Sequence, residues 1–244
     1  MQSEKIQAIV LSSLDYGDSD RIVSLFSLEH GRIKAFARGA RNSRRRFGPA
    51  LEPFARIHVQ ARIKHGLSGL QQADIISIYP AIRADLERIA HALYSCELVD
   101  AITPEGHPLP RLYRLLTTYL DRLEATAASE SDRRFFEINL LNILGYRPAL
   151  EGCARCDSPF GENGARLQDG GELVCRFCAA SGRLLSGLTL GILQACLRTG
   201  SFGLIAFPPE VLQQSAALLD ETILAHACRR LKSLEFLRQL TGAG

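Results

Sequence analysis

Apolar and polar residues alternate along the first third of the chain, and then the period changes. Over residues 32–38, Ile33, Ala35 and Ala37 share one parity, and Arg32, Lys34, Phe36 and Arg38 share the other. Residues 55–64 repeat the pattern, with Ile57, Val59, Ala61 and Ile63 opposed to Arg56, His58, Gln60, Arg62 and Lys64. A strand sends successive side chains to opposite faces, so each run reads as a strand with one core face and one polar face. Residues 5–14, 21–28 and 70–78 are rich in Ile, Val, Leu and Phe and complete five strand-like runs. Turn signals separate them: residues 15–20 around Gly17, His30-Gly31, a long loop, and residues 66–69. Five short strands with one polar parity predict a small closed β-barrel, the five-stranded OB-fold, over residues 1–79.

After Tyr79-Pro80 apolar residues recur at three- and four-residue steps. This predicts a helix over 81–102, a second through Leu112, Leu116, Tyr119 and Leu123, and a third from Phe135 to Leu144, ended by Gly145. Residues 149–182 form a Gly- and Cys-rich insert. Helical spacing resumes at 188–197, and Pro208-Pro209-Glu210 suits the first turn of a long helix reaching toward Leu240. The class is therefore α+β and multidomain. A barrel over 1–79 precedes an all-α domain over 80–148 and 183–244, which a cysteine insert over 149–182 interrupts.

Charge changes this picture more than composition does. The whole chain of 244 residues carries a net charge of only +3, yet residues 1–79 hold 12 Lys or Arg against 7 Asp or Glu. No acidic residue falls between Glu29 and Glu52, an interval holding Arg32, Lys34, Arg38, Arg41, Arg44, Arg45 and Arg46. Six of these seven cations are Arg, whose planar fork suits bidentate phosphate contacts and stacking on bases. With Phe36 among them, Arg32, Lys34 and Arg38 form a strand face able to grip a nucleic-acid backbone and stack a base. Arg41, Arg44, Arg45 and Arg46 read as a mobile charge screen in the loop over 39–53. The competing reading is a solvated charged loop.

Cys153-Ala-Arg-Cys156 and Cys175-Arg-Phe-Cys178 are two C-x-x-C pairs with eighteen residues between them. That spacing suits one structural Zn2+ ion, each short knuckle presenting two thiolates to a tetrahedral site with no open position. A redox dithiol is the alternative, but neither pair follows a strand and precedes a helix. Cys96, Cys196 and Cys228 lie in apolar, helical surroundings and read as small buried hydrophobes.

Other chemistry is missing from the pattern. There is no phosphate-binding G-x-x-x-x-G-K-[ST] loop, no G-x-S-x-G elbow and no H-E-x-x-H, and the six histidines are scattered. Asp15, Asp18 and Asp20 admit a metal-dependent nuclease cluster but read better as a polar turn beside Gly17. No apolar run approaches the roughly 20 residues of a spanning helix, and residues 1–7 lack a signal pattern. The expectation is a cytoplasmic protein that is not an enzyme.

The order of parts, the stretch A-R-G-A-R-N-S-R-R-R-F-G-P-A-L-E-P-F (37–54) and the stretch H-A-C-R-R-L-K-S-L-E-F-L (226–237) together resemble the RecO family of bacterial DNA repair proteins. The resemblance implies a nucleoid-associated recombination mediator that binds single- and double-stranded DNA and anneals complementary strands. It also implies contacts with RecR and single-strand-binding protein, and assistance in loading RecA. The family's basic face would fall on Lys34 and Arg38, with Arg41, Arg44, Arg45 and Arg46 beside it. An OB-fold RNA-binding or translation-associated factor is the alternative on the charges alone, since phosphate contacts do not separate RNA from DNA. A zinc-containing nucleic-acid-modifying enzyme would need an open metal position or a carboxylate cluster.

Overall fold

The computed structural model describes residues 3–43, 45–227 and 229–240. They form two compact units, one of residues 3–128 with 229–240 and the other of residues 129–227. Arg44 and Cys228 lie outside the described residues.

In the first unit β1 (Glu4–Tyr16), β2 (Asp20–Ser27), β3 (Gly31–Ala37), β4 (Arg56–Arg62) and β5 (Leu67–Ser77) close a barrel in the order β1-β2-β3-β5-β4. Every neighbouring pair is antiparallel except β3 with β5. This is the OB-fold barrel that the polar and apolar parities predict. The long first strand serves two neighbours: Glu4 to Ile9 pair with β4, and Ala8 to Tyr16 pair with β2, past a bulge between Val10 and Ser12.

Ile33, Ala35, Ala37, Ile57, Val59 and Ala61 all point into the core. Alternating large and small side chains fill the narrow interior. The run Ile9-Val10-Leu11 breaks the alternation because both faces of β1 are covered there, and all three residues are buried. On the neighbouring strand Phe26 stacks on Tyr113 of the helical layer, with ring centroids 6.3 Å apart.

The stretch over 39–53, expected to be free to move, is instead bolted across one end of the barrel. Ala40, Phe47, Ala50 and Leu51 join the barrel core, the last two in a single 3-10 turn (Gly48–Leu51). Main-chain bonds fix it further: Ala73 donates to Arg46 O at 2.9 Å and Arg41 to Ser19 O at 3.0 Å. The sequence signal of charge concealed four apolar anchors at irregular spacing.

The single helix expected over 81–102 is two, α1 (Pro80–Arg83) and α2 (Leu86–Ile102). Asp85 divides them, because its carboxylate accepts the Arg88 N–H at 3.0 Å and so caps a new helix. α3 (Pro110–Ala125) follows, and its Glu124 accepts the Ala81 and Ile82 N–H groups at 3.0 Å, capping α1. The segment before α3 lies against the start of β3, where Gly31 has φ +66° and an added Cβ would sit 1.8 Å from the His107 carbonyl. Only glycine fits that approach.

The second unit opens with α4 (Glu130–Leu144), closed by Gly145 at φ 80°. A three-stranded sheet of β6 (Ala165–Leu167), β7 (Leu173–Val174) and β8 (Arg183–Leu185) runs in the order β7-β6-β8. Two helices follow, α5 (Gly187–Arg198), capped by Ser186, and α6 (Pro209–His226). Glu137 of α4 is fully buried and holds two guanidinium groups, Arg133 at 3.3 Å and Arg134 at 2.7 Å.

The long terminal helix expected to reach Leu240 stops at His226. A separate α7 (Lys232–Leu240) belongs to the barrel unit, where it buries Leu234 and Leu237. Glu97 of α2 supplies its N-terminal cap, accepting from Lys232 N at 3.2 Å, Ser233 N at 2.7 Å and the Ser233 hydroxyl. Among the described residues no helix is long and apolar enough to cross a membrane.

Candidate nucleic-acid interface and candidate metal centre

Strand register aligns a row of side chains across the outside of the barrel. Leu14 pairs with Ile22, Ile22 with Phe36, Phe36 with Gly69, and Gly69 with Arg62. None of the five is buried. Phe36 is flanked on β5 by a glycine whose missing Cβ would meet nothing within 4 Å, which leaves one side of the ring open. Tyr16 meets the ring edge-on, 5.9 Å between centroids and 80° between planes, and is itself 56% exposed. A row of apolar and aromatic groups open to solvent, with a gap beside one ring, has the form of a base-stacking platform.

Cations frame that platform. Lys34, two residues along β3 from Phe36, is exposed, as are Arg38, Arg45 and Arg62. Among the described residues, no carboxylate lies within 4.0 Å of any of these four cationic groups. Their charge is available to an external anion such as phosphate. The other cations of the stretch are engaged within the protein. Arg32 donates to the Thr103 carbonyl at 3.0 Å and lies 3.8 Å from Asp100, so it ties β3 to the end of α2. Arg41 reaches Asp15 at 3.5 Å and the carbonyls of Gly17 and Asp18 at 3.4 and 3.3 Å. Arg46 donates to the Arg38 carbonyl at 2.9 Å and lies over the Phe47 ring at 5.2 Å. Arg44, also expected at this site, falls outside the described residues.

Sequence reasoning had no role for Tyr16, Gly69 or Arg62 at this face. Arg62 stood in view on the polar parity of the fourth strand. Tyr16 and Gly69 depend on register, which parity alone does not supply. Of the expected polar turn only Asp18 lies in the turn itself, while Asp15 and Asp20 belong to the strands on either side: Asp15 pairs with Arg21 at 3.0 Å, and Asp20 accepts the Gly39 N–H at 2.7 Å.

In the second unit the four cysteines of the two C-x-x-C pairs converge. The sulfurs of Cys153, Cys156, Cys175 and Cys178 all lie within 4.8 Å of one another, and those of Cys156 and Cys175 are 3.7 Å apart. Four thiolates at the usual zinc–sulfur distance stand about 3.8 Å from each other, so the cluster fits a tetrahedral ion. Local turns create the convergence: Asp157 donates to the Cys153 carbonyl at 2.9 Å, and Cys178 to that of Cys175 at 3.1 Å. Arg155 bridges the knuckles, donating to the Cys178 carbonyl at 3.2 Å and to Glu172 at 2.9 Å.

The thiols differ in acidity. Burial opposes a thiolate at Cys153, but the N–H groups of Cys175, Arg155 and Cys156 outweigh it and bring this thiol down to about 6. Ser158, through its hydroxyl and its N–H, lowers Cys156. Cys178, sharing hydrogen bonds with the sulfurs of Cys156, Cys175 and Cys153, is pushed up to about 12. The acidities of neighbouring sulfurs are thus pushed in opposite directions, as expected where clustered thiols compete.

Comparison with known proteins follows both units. Residues 1–79 match the family model described as Recombination protein O N terminal, and residues 83–235 match Recombination protein O C terminal. The chain is 68% identical over 242 residues to a protein of Pelobacter propionicus named DNA repair protein RecO, covering 99% of this chain and 98% of that one. A protein of the same name from Geobacter sulfurreducens is 52% identical over 242 residues, covering 99% and 100%. Another, from Myxococcus xanthus, is 38% identical over 234 residues, covering 96% of each.

Proposed function

Because the chain belongs to the RecO family of DNA repair proteins, we propose that its barrel, residues 1–79, is a DNA-binding domain serving recombinational repair. The observation that carries this reading is the row Leu14, Ile22, Phe36, Gly69 and Arg62, framed by the cationic groups of Lys34, Arg38 and Arg45, which pair with no carboxylate among the described residues. Cations on the rim neutralise phosphates, and aromatic faces at the centre receive unpaired bases. Contacts of this kind position a strand without reading its sequence.

Strand annealing suits such a surface. Two phosphate backbones repel each other, and a basic face that neutralises them lowers the barrier while leaving base edges free to pair. The role is that of a mediator without catalytic turnover, acting in the cytoplasm with RecR and single-strand-binding protein and assisting the loading of RecA. Engagement of Arg32, Arg41 and Arg46 by protein groups leaves Lys34, Phe36, Arg38, Arg44 and Arg45 of the expected DNA contacts, joined by Arg62 and Tyr16.

The four thiolates of Cys153, Cys156, Cys175 and Cys178 would hold one structural zinc ion. The ion's part is to fold a segment poor in apolar residues. The direct test of the mediator role is annealing of complementary strands coated with single-strand-binding protein. The intact chain should accelerate it, and K34A/R38A/R45A should lose most of the effect. Equal annealing by both would overturn the assignment.

A further inference from the structure

The acid-free interval in the barrel has a counterpart in the second unit. No Asp or Glu occurs between Glu172 and Glu210, and the interval holds Arg176, Arg183 and Arg198. Among the described residues, no carboxylate lies within 4.0 Å of these three guanidinium groups. At its start the second knuckle presents Phe177, which is 84% exposed. The Arg176 guanidinium lies over that ring, 4.9 Å from its centroid.

An aromatic ring so exposed forgoes the burial that normally retains Phe in a sequence. Here it also stands on a rigid support. Cys175 and Cys178 bracket it at the metal centre, Cys178 and Ala179 both donate to the Cys175 carbonyl, and Arg155 locks the knuckle from the other side. A side chain held out on such a turn loses little freedom when a ligand stacks on it. We propose that Phe177 and Arg176 form a second nucleic-acid contact, separate from the barrel, that takes unpaired bases of a single strand.

The chemistry distinguishes this contact from the barrel face. A divalent ion held by four thiolates would leave a net negative charge at the knuckle that offsets the Arg176 guanidinium, so phosphate attraction contributes little at Phe177 itself. Stacking on Phe177, with the Arg176 plane alongside, supplies the contact. A duplex hides its base faces, so the ligand class is single-stranded.

The chain has no tryptophan, which permits a direct test in the intact protein. F177W places the sole indole at the knuckle. A single-stranded oligothymidine should quench its fluorescence, and a blunt duplex should not. F177A, at parental metal content, should bind the single strand about tenfold more weakly. Its salt dependence and its duplex affinity should stay unchanged. F177L should resemble F177A, since stacking needs an aromatic face. Parental affinity in F177A, or an unquenched F177W indole, would overturn the proposal. Parental behaviour of F177L would also overturn it, marking the knuckle as an apolar protein-docking point. Failure of the barrel reading is seen separately, because barrel substitutions leave the F177W quenching in place.

Discussion

Replacing Glu137 by Ala removes the carboxylate shared by Arg133 and Arg134 inside the second unit. Their side chains are only 6% and 4% exposed, so water cannot substitute for the lost oxygen atoms. Breaking a buried ion pair from one side costs about 3–5 kcal/mol. Arg133 keeps Glu130, and Arg134 keeps Asp220 at 3.0 Å, which places the expected loss near the lower limit, about 3 kcal/mol. In a unit of this size each kcal/mol lowers the melting midpoint by about 4–8 °C, so the second unit should melt about 12–24 °C earlier. Calorimetry of the intact chain would read this as a shift of one transition. The combined change E137M/R133L/R134L removes the three most deeply buried charges, leaves only the partly exposed Glu130 and Asp220, and should recover most of the loss, because well-packed apolar groups replace buried ions at little cost. A shift below about 3 °C in E137A would refute the reasoning, showing that the arginines find other partners without penalty.

Four further outcomes follow from the geometry. Chelation of the metal should unfold the cysteine segment and leave the barrel melting transition in place, as read by calorimetry with and without chelator. Metal retention should fall with acidification, since protons compete for the thiolates that bind it. Glu97→Ala should release α7, a nine-residue helix too short to persist alone, and trypsin should then cut faster at Arg229 and Arg230. Gly69→Val should leave stability nearly unchanged, because a Cβ there meets nothing, yet weaken single-strand binding by filling the gap beside Phe36.

The barrel was legible because its signal is local. Parity over 32–38 and 55–64 named the inward and outward sets, and the structure buries the first, save Ile63, which lies half-buried beyond the end of β4, while leaving the second half-buried or exposed. The cysteine cluster was legible for the same reason, since two short knuckles announce four sulfurs that could hold one ion. What stayed hidden depends on pairing between distant segments. Arg32 looks like its neighbours in sequence and differs only because Asp100 and Thr103 stand opposite it. The loop after Gly39 looked mobile because Phe47, Ala50 and Leu51 follow no period, yet they close the barrel. The helix toward Leu240 looked continuous, although Glu97, more than a hundred residues earlier, starts a new one at Lys232. Tyr16 and Gly69 entered the site through register alone.

The central claim is that uncompensated cations on the barrel's outer face bind the DNA backbone. Its most direct test is the salt dependence of single-strand affinity in the intact chain and in K34A/R38A/R45A/R62A. Each phosphate contact on a single strand contributes about −0.7 to the slope of log affinity against log salt, so losing four cations should flatten it by about 2–3 units. Affinity at low salt should fall in parallel, while the melting transitions stay in place. A slope and affinity equal to those of the parent would contradict the claim and place the DNA contact elsewhere on the molecule.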